Sequence, residues 1–194
     1  MLYMGLDIDE TIIHTKRYYG LFDRPDDAEF YFSLWDGDYE ETYALYCRAY
    51  LNEFIKLLDN NFKIFFYTRA DKKYAEIILK HLKLDKYPLF GREHTIVHDE
   101  IVFNAYRGNI VLKRYQKDLS IIAAELKTDI KNIVFIDDDN NSNQLVQPEI
   151  TIKIPEFVND IQDFDLKIIG DHIEKGLKYN KEDLRDYILS LKFL

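Results

Sequence analysis

The sequence is poor in the residues that cross-link or bend a chain: its 194 residues include one cysteine, four prolines and seven glycines. Because Cys47 has no second cysteine to pair with, no intramolecular disulfide can form, which favours an intracellular compartment. No apolar run approaches the roughly 20 residues of a membrane helix, and the N-terminus lacks the basic start and continuous apolar stretch of a signal peptide. We therefore expect a soluble cytoplasmic or nuclear protein without a membrane partner.

Acidic residues outnumber basic ones by 35 to 26, which gives a formal net charge of −9. Affinity for nucleic acid comes from Lys and Arg side chains that neutralise phosphates, so general nucleic-acid binding is not expected. The sequence also lacks internal repeats, low-complexity stretches and a linker rich in proline and glycine. Its length suits one hydrophobic core, and we predict a single domain over residues 1–194.

Three short apolar segments predict buried strands at residues 2–6, 63–67 and 132–136. Apolar residues at helical spacing predict helices at residues 51–58, 72–82 and 119–126. Strands without polar alternation, separated by helices, are typical of a parallel sheet that is covered on both faces. The predicted fold class is therefore α/β, with a parallel central sheet flanked by helices.

Two stretches interrupt this pattern and predict β-hairpin insertions. The first spans about residues 28–48, and the second spans about 99–112 with an RGN turn at 107–109. The tail, about 160–194, predicts two helices, the last of which begins near Asn180 as its N-cap. Four aromatic residues of the first hairpin either pack against the body of the protein or line a groove beside the active site: Phe30, Phe32, Trp35 and Tyr43.

Charged and polar residues follow the predicted strands. The first strand is followed by Asp7, Asp9 and Thr11, the second by Thr68 and Arg69, and the third by Asp137, Asp138 and Asp139, while Lys117 opens the preceding helix. Ligands of parallel α/β sheets collect at the carboxyl ends of the strands. A cluster of carboxylates there needs a cation, and all-oxygen ligands favour Mg²⁺. Magnesium, a lysine and a hydroxyl together complement a phosphoryl group.

Segments along most of the chain resemble a known family. DIDETII at residues 7–13 resembles the DxDxT signature of haloacid-dehalogenase (HAD) superfamily phosphotransferases, and its extension to His14 resembles the C-terminal-domain phosphatases, also called NLI-interacting-factor-like (FCP/SCP-like) phosphatases. Further similar segments are FYFSLWDG (30–37), CRAYLNEFI (47–55), FYTRADKKYAEIIL (66–79), REHTIVH (92–98), YQKDL (115–119) and FIDD (135–138). Because the motifs occur in the family's order, the match is far more specific than a lone DxDxT.

The resemblance implies a Rossmann-like HAD fold and a phosphatase that works through an aspartyl-phosphate. It implies that Asp7 is the nucleophile and that Asp9 is the general acid and base. Mg²⁺ would be held by Asp7, the Asp9 backbone carbonyl and Asp138. Asp137 would pair with Lys117 and support the metal site from behind the ligands.

The resemblance also implies how a phosphorylated substrate is held. Thr68 and Lys117 would bind the transferring phosphoryl group, and Arg92 matches an arginine near the substrate phosphate. Arg69 adds local positive charge, and Thr11 helps to shape the turn that carries the two aspartates. Glu10 is left without a chemical role, and we expect it to face away from the metal.

The sequence departs from the family in three places. Residues 48–50 read Arg-Ala-Tyr where the family has Arg-Pro-Gly, the proline after the last acidic motif is replaced near Asn140, and an extra stretch separates His98 from the lysine motif. None of these changes affects the implied nucleophile, but the extra hairpin could alter access to the site.

The leading interpretation is a Mg²⁺-dependent phosphoric monoester hydrolase that acts on phosphoserine or phosphothreonine in a protein or peptide. Two alternatives stay open. One keeps the chemistry but changes the substrate to a nucleotide, a polynucleotide 3′-phosphate or a small phosphometabolite. The other is a catalytically silent scaffold that binds a phosphopeptide or partner, although a scaffold has no need of both Asp7 and Asp9.

Overall fold

The computed structural model describes residues 1–20, 23–37, 39–104, 108–139, 144–159, 162–179 and 181–191. The strands in chain order are β1 (Tyr3–Leu6), β2 (Ile13–Tyr18), β3 (Phe30–Asp36), β4 (Tyr39–Cys47), β5 (Lys63–Tyr67), β6 (Leu89–Phe90), β7 (Ile96–Asn104), β8 (Gly108–Gln116), β9 (Ile133–Asp137) and β10 (Thr151–Lys153). The α-helices are α1 (Leu51–Asn61), α2 (Lys72–His81), α3 (Leu119–Glu125), α4 (Asp165–Tyr179) and α5 (Leu184–Leu189).

The central sheet has the strand order β10-β9-β1-β5-β6, and every neighbouring pair is parallel. The three strands predicted from apolar segments lie side by side in its centre, where their side chains are largely buried. The prediction of a parallel α/β sheet is confirmed. The outer strands β6 and β10 were not predicted, because two and three residues are too few to give a periodic pattern.

Strand β1 packs unusually close to the rings of its neighbours at Gly5. A Cβ atom placed there would lie 2.3 Å from the ring of Phe65 and 2.6 Å from the ring of Phe135. These two rings stack on one face of the sheet with centroids 6.3 Å apart. The position therefore requires glycine for close packing.

Helices cover both faces of the sheet. Helices α1, α2, α4 and α5 contribute to the larger core cluster, while α3 packs on the opposite face against Phe65 and Phe135. Helices α2 and α3 begin at aspartates: Asp71 accepts a hydrogen bond from Lys73 N at 2.9 Å, and Asp118 accepts one from Ser120 N at 2.8 Å. These caps satisfy backbone N–H groups at the N-terminal ends of the two helices.

Few glycines are available to end helices, and lysines take that place. Within the described ranges, five non-glycine residues have positive φ: Glu10, Tyr50, Lys83, Lys127 and Asn159. Lys83, with φ 59°, follows α2, and the two hydrogen bonds of a Schellman motif surround it, from Lys83 N to Lys80 O and from Leu84 N to Leu79 O. Lys127 ends α3 in the same way. Both positions favour glycine, because the left-handed conformation is strained for other residues.

The first insertion is a three-stranded antiparallel sheet with the order β2-β4-β3. The predicted hairpin supplies β3 and β4. Strand β2 was not predicted, because its sequence IHTKRY is mostly polar and only its first residue is fully buried. It pairs with β4 from Ile13–Cys47 to Tyr18–Thr42. This sheet is called the insertion sheet below.

The second insertion is an antiparallel hairpin of β7 and β8, paired from Ile96–Gln116 to Asn104–Gly108. It is longer than the predicted 99–112, and it forms a sheet of its own. Of the RGN turn, position 107 lies outside the described residues. Helix α5 begins at Leu184 rather than near position 180, and Asn180 itself lies outside the described residues. Among the described residues, none of the helices is long and apolar enough to cross a membrane.

Candidate active site

The carboxyl ends of β1 and β9 bring two aspartates together. Asp7 N donates a hydrogen bond to Ile136 O at 2.9 Å, which continues the parallel pairing one residue beyond the end of β1. Asp7 and Asp137 are 6% and 1% exposed. With Asp138 they form a group in which one carboxylate oxygen of each residue lies within 4.8 Å of the others.

Lys117 lies between two of these carboxylates. Its Nζ atom is 2.6 Å from Asp7 Oδ1 and 2.7 Å from Asp137 Oδ2, and the side chain is 2% exposed. The backbone of Lys117 is fixed by two hydrogen bonds, from its own N to Gln144 O at 2.8 Å and from Val146 N to its O at 2.9 Å. The lysine is thus held rigidly at the end of β8.

The site holds more negative than positive charge. Burial, opposed by Lys117 and reinforced by neighbouring carboxylates, raises the pKa of Asp7 from 3.8 to about 6. Burial likewise raises the pKa values of Asp137 and Asp138 to about 6. The pKa of Lys117 is also raised, because Asp137 and Asp7 outweigh the effect of its burial. One lysine therefore does not balance the surrounding carboxylates.

A divalent cation would supply the missing positive charge. The donor set of Asp7, Asp137 and Asp138 consists of carboxylate oxygens, which suits Mg²⁺. The carboxylate of Asp9 is not among these three, and only its backbone carbonyl is predicted to bind the metal. Since Asp137 is already bound by Lys117, the residues fit a metal held mainly from Asp7 and Asp138.

Thr11 and Glu10 shape the turn after Asp9. The Thr11 hydroxyl donates to Asp138 Oδ1 at 3.0 Å and accepts from Asp138 N at 3.1 Å, so it orients that carboxylate. Glu10 has a φ of 58° and directs its carboxylate to His14 Nδ1, 2.8 Å away. Glu10 is not part of the three-carboxylate group.

Asp9 faces a tyrosine that the sequence analysis missed. The hydroxyl of Tyr74, on α2, donates a hydrogen bond to Asp9 Oδ1. Thr15, on β2, lies 2.8 Å from the same hydroxyl. Burial raises the pKa of Asp9, although the bond from Tyr74 opposes this shift. No spacing rule connects positions 9 and 74, so the sequence carried no signal for this contact.

Thr68, Arg69 and Arg92 lie beside the carboxylates at the end of β5. Thr68 is buried, and its hydroxyl accepts from Ala70 N at 3.0 Å. Arg69 lies 3.7 Å from a carboxylate oxygen of Asp139 and is partly exposed. Arg92 donates from Nε to Arg69 O at 2.9 Å. Arg69 thus reaches from the end of β5 to the residues after β9, and Arg92 contacts its backbone.

A cavity of about 570 Å³ opens next to Asp9. It lies between the insertion sheet and α2, and its walls include Asp9, Trp35, Tyr43, Tyr74 and Arg92. Trp35 is 70% exposed, whereas Phe32 is buried and Phe30 packs against the core. The aromatic residues of the first hairpin thus divide between the two predicted roles.

Arg48 lies behind the first acidic loop and is buried. It donates from Nη1 to Thr11 O at 3.0 Å and from Nη2 to Pro155 O at 2.8 Å. It also forms ion pairs at 2.7 Å with Asp163 and Asp165. These contacts connect the segment before α4 to the loop that carries Asp7 and Asp9.

Comparison with known proteins identifies similar chains. The model of the family described as NLI interacting factor-like phosphatase matches residues 4–185. A probable C-terminal domain small phosphatase of Dictyostelium discoideum is 28% identical over 165 residues, which cover 83% of this chain and 46% of that protein. An uncharacterized protein of Schizosaccharomyces pombe is 28% identical over 164 residues, 83% of this chain and 43% of that protein.

Solved structures also resemble this fold. The fission yeast RNA polymerase II CTD phosphatase Fcp1, as a variant bound to beryllium fluoride, matches with a TM-score of 0.57 at 17% identity, over 97% of this chain and 53% of that chain. A second structure of Fcp1 matches with a TM-score of 0.57 at 18% identity, over 97% and 51% of the two chains. The chain spans about half the length of these relatives.

Proposed function

Because the chain belongs to the NLI interacting factor-like phosphatase family, we propose that it hydrolyses phosphomonoesters through a phosphoaspartate at Asp7. The observation that carries this proposal is the buried contact of Lys117 with Asp7 and Asp137 at 2.6 and 2.7 Å, next to a third carboxylate at Asp138. This arrangement leaves a negatively charged nucleophile beside groups that neutralise phosphate oxygens.

In the first step, a carboxylate oxygen of Asp7 attacks phosphorus and the ester P–O bond breaks. The leaving alkoxide takes a proton from Asp9, which is two residues away on the same turn. In the second step, Asp9 accepts a proton from water as the water oxygen attacks phosphorus, and the bond from phosphorus to Asp7 breaks. The products are the alcohol and inorganic phosphate, and both aspartates return to their starting states.

Asp7, Asp138 and the backbone carbonyl of Asp9 would hold Mg²⁺, which when bound neutralises charge on the phosphoryl oxygens. Thr11 orients Asp138 through its two hydrogen bonds. Asp137 keeps Lys117 protonated and in place. Lys117 and Thr68 would bind the remaining phosphoryl oxygens, since Lys117 Nζ contacts Asp7 and Thr68 directly follows β5 at the carboxyl end of the sheet.

We propose phosphoserine or phosphothreonine in an extended peptide segment as the substrate. The cavity beside Asp9 is about 570 Å³ in volume, and its lining includes the exposed Trp35 and Arg92. Arg92 and Arg69 would contribute positive charge near the substrate phosphate. A cavity with aromatic and charged walls next to the reacting phosphate suits the flanking residues of a peptide.

The test measures Mg²⁺-dependent phosphate release from p-nitrophenyl phosphate and from a panel of phosphopeptides. Activity should vanish in EDTA and in Asp7→Asn, and Asp9→Asn should lose most of it. Full activity of Asp7→Asn would refute the mechanism. A panel that also contains nucleotides, a 3′-phosphorylated oligonucleotide and small sugar phosphates decides the substrate class, and a wild type inactive on all of them would indicate a binding scaffold.

A further inference from the structure

Tyr74 connects Asp9 to all three strands of the insertion sheet. We propose that Tyr74, fixed by Thr15, is a positioning residue that orients the Asp9 carboxylate for proton transfer to the leaving oxygen. This inference rests on the proposed phosphatase mechanism. It gives the insertion sheet a part in catalysis that is separate from any contact with substrate.

The direction of the hydrogen bonds follows from the chemistry of the three groups. The Tyr74 hydroxyl donates to Asp9 Oδ1. A hydroxyl has a single hydrogen, so the contact of 2.8 Å between Tyr74 and Thr15 requires Thr15 to be the donor. The bonds therefore run from Thr15 to Tyr74 to Asp9.

The ring of Tyr74 is held from the side of the insertion sheet as well. Its centroid lies 5.8 Å from that of Phe32 on β3 and 5.8 Å from that of Tyr43 on β4. The hydroxyl contact comes from Thr15 on β2. Strands β3 and β4 thus flank the ring and β2 holds the hydroxyl, which leaves the side chain little freedom to move.

This fixation matters because a carboxylate rotates easily about its last bond. Among the described residues, Tyr74 is the one side chain that hydrogen-bonds to the Asp9 carboxylate. Its bond engages Oδ1 and leaves Oδ2 for the leaving oxygen, and both residues line the same cavity. An acid must lie within hydrogen-bond reach of the oxygen it protonates, and residues behind it usually set that position.

The experiment compares two substrates whose leaving groups differ in their need for a proton. Serine leaves as an alkoxide that requires a proton, whereas p-nitrophenolate leaves unprotonated. The kcat/KM value reports the steps up to formation of the phosphoaspartate. We expect Tyr74→Phe to lower kcat/KM for a phosphoserine peptide about 10- to 100-fold, which is a part of the 10²–10⁴-fold effect of general acid catalysis. For p-nitrophenyl phosphate, the factor by which kcat/KM falls should be at least about tenfold smaller.

Three further variants test the chain of contacts. Thr15→Val should show the same selective loss to a smaller degree, and Thr15→Ser should restore the wild-type ratio between the substrates. Tyr46→Phe is the matched control, because the Tyr46 hydroxyl also donates to a carboxylate, Asp27 at 3.0 Å, on the far side of the insertion sheet. Tyr46→Phe should change kcat/KM by the same factor for both substrates, and by less than about twofold.

The outcomes separate this inference from the proposed function. One outcome is that the wild type is active and depends on Asp7 while Tyr74→Phe and Thr15→Val lower kcat/KM by the same factor for both substrates. In that case the positioning role is wrong and the phosphatase mechanism stands. If Asp9→Asn also shows no preference between leaving groups, the assignment of Asp9 as the acid fails, and the role of Tyr74 fails with it.

Discussion

Thr11 and Asp138 are joined by two hydrogen bonds that run in opposite directions between the loops after β1 and β9. The Thr11 hydroxyl donates to the Asp138 carboxylate at 3.0 Å and accepts from the Asp138 backbone N–H at 3.1 Å. Thr11 is fully buried. A single hydroxyl therefore sets both the position of the second loop and the direction of a carboxylate in the acidic cluster.

Replacing Thr11 tests this relationship. Thr11→Val keeps the shape of the side chain but removes both bonds, so we expect the Mg²⁺ concentration for half-maximal activity to rise at least about tenfold, as for other groups that orient metal ligands. Thr11→Ser keeps the hydroxyl, so its Mg²⁺ concentration for half-maximal activity should be close to that of the wild type. A titration of activity against Mg²⁺ measures both, and equal values for Thr11→Val and wild type would contradict the role.

Removal of the Lys117 charge should destabilise the metal-free protein strongly. Lys117→Met leaves the buried carboxylates of Asp7 and Asp137 without their cation, and breaking a buried ion pair in this way costs about 3–5 kcal/mol. Urea unfolding in EDTA at pH 8 measures the loss. At pH 5 the loss should be smaller, because the two carboxylates can then bind protons.

Lys72→Met is the matched control for that variant. The ion pair of Lys72 with Glu93 is exposed and 3.9 Å long, and such pairs contribute about 0–1 kcal/mol. The free energy of unfolding of Lys72→Met should therefore be close to that of the wild type at both pH values. A loss for Lys117→Met that is the same at pH 8 and pH 5 would be inconsistent with the unpaired carboxylates as its cause.

The raised pKa values of the acidic cluster predict how stability depends on pH. The pKa values of Asp7, Asp137 and Asp138 rise from 3.8 to about 6 in the folded protein. Between these values the folded state binds protons that the unfolded state has released. The contribution of these groups to stability is therefore fully present below about pH 4 and is lost as the pH rises through about 6.

Asp138→Asn tests that dependence, since an amide oxygen can still accept the bond from Thr11. In EDTA at pH 8 we expect the variant to have a higher melting temperature than the wild type, and the difference should disappear near pH 4. Excess Mg²⁺ at pH 8 should raise the melting temperature of the wild type more than that of the variant. A variant that melts below the wild type in EDTA at pH 8 would count against the repulsion among these carboxylates.

Glycine at the end of α2 should stabilise the protein. Lys83 is exposed and has a φ of 59°, and the left-handed conformation costs a non-glycine residue about 1–2 kcal/mol. Lys83→Gly should therefore raise the free energy of unfolding by about 1 kcal/mol, measured by urea denaturation. Lys80→Gly, within the helix, should lower it by about the same amount.

The parts of the fold that the sequence predicted are those that local patterns encode. Strands β1, β5 and β9 are apolar on both faces, so their short runs were recognisable. Strand β2 was missed because its residues become a strand only by pairing with β4, which lies about thirty positions later in the chain. The second hairpin was recognised from its β-branched residues, but its length depends on pairing at its base, from Ile96 to Gln116.

The candidate site divides in the same way. Asp7, Asp9, Lys117 and Asp138 lie in motifs of the family, and membership of that family is confirmed, while their individual roles stay predictions. Tyr74 lies in the segment that resembles the family's second motif, but neither the motif nor the helical pattern assigned it a role. Its contact with Asp9 arises because α2 and the acidic loop meet at the same end of the sheet, and only the tertiary structure shows that.

The central position of β1 has a consequence for the synthesis of the chain. Tyr3 pairs with Lys63 on one side and with Ile133 on the other. At a synthesis rate of about 5–20 residues per second, the first strand waits roughly ten seconds for its second neighbour. Asp138 follows β9, and the backbone of Lys117 is fixed by Gln144 and Val146, so neither residue is in place beside Asp7 until β9 has been made. The nascent chain therefore carries its two leading aspartates as ordinary hydrated carboxylates, and the high charge density of the site develops only when the sheet closes around it.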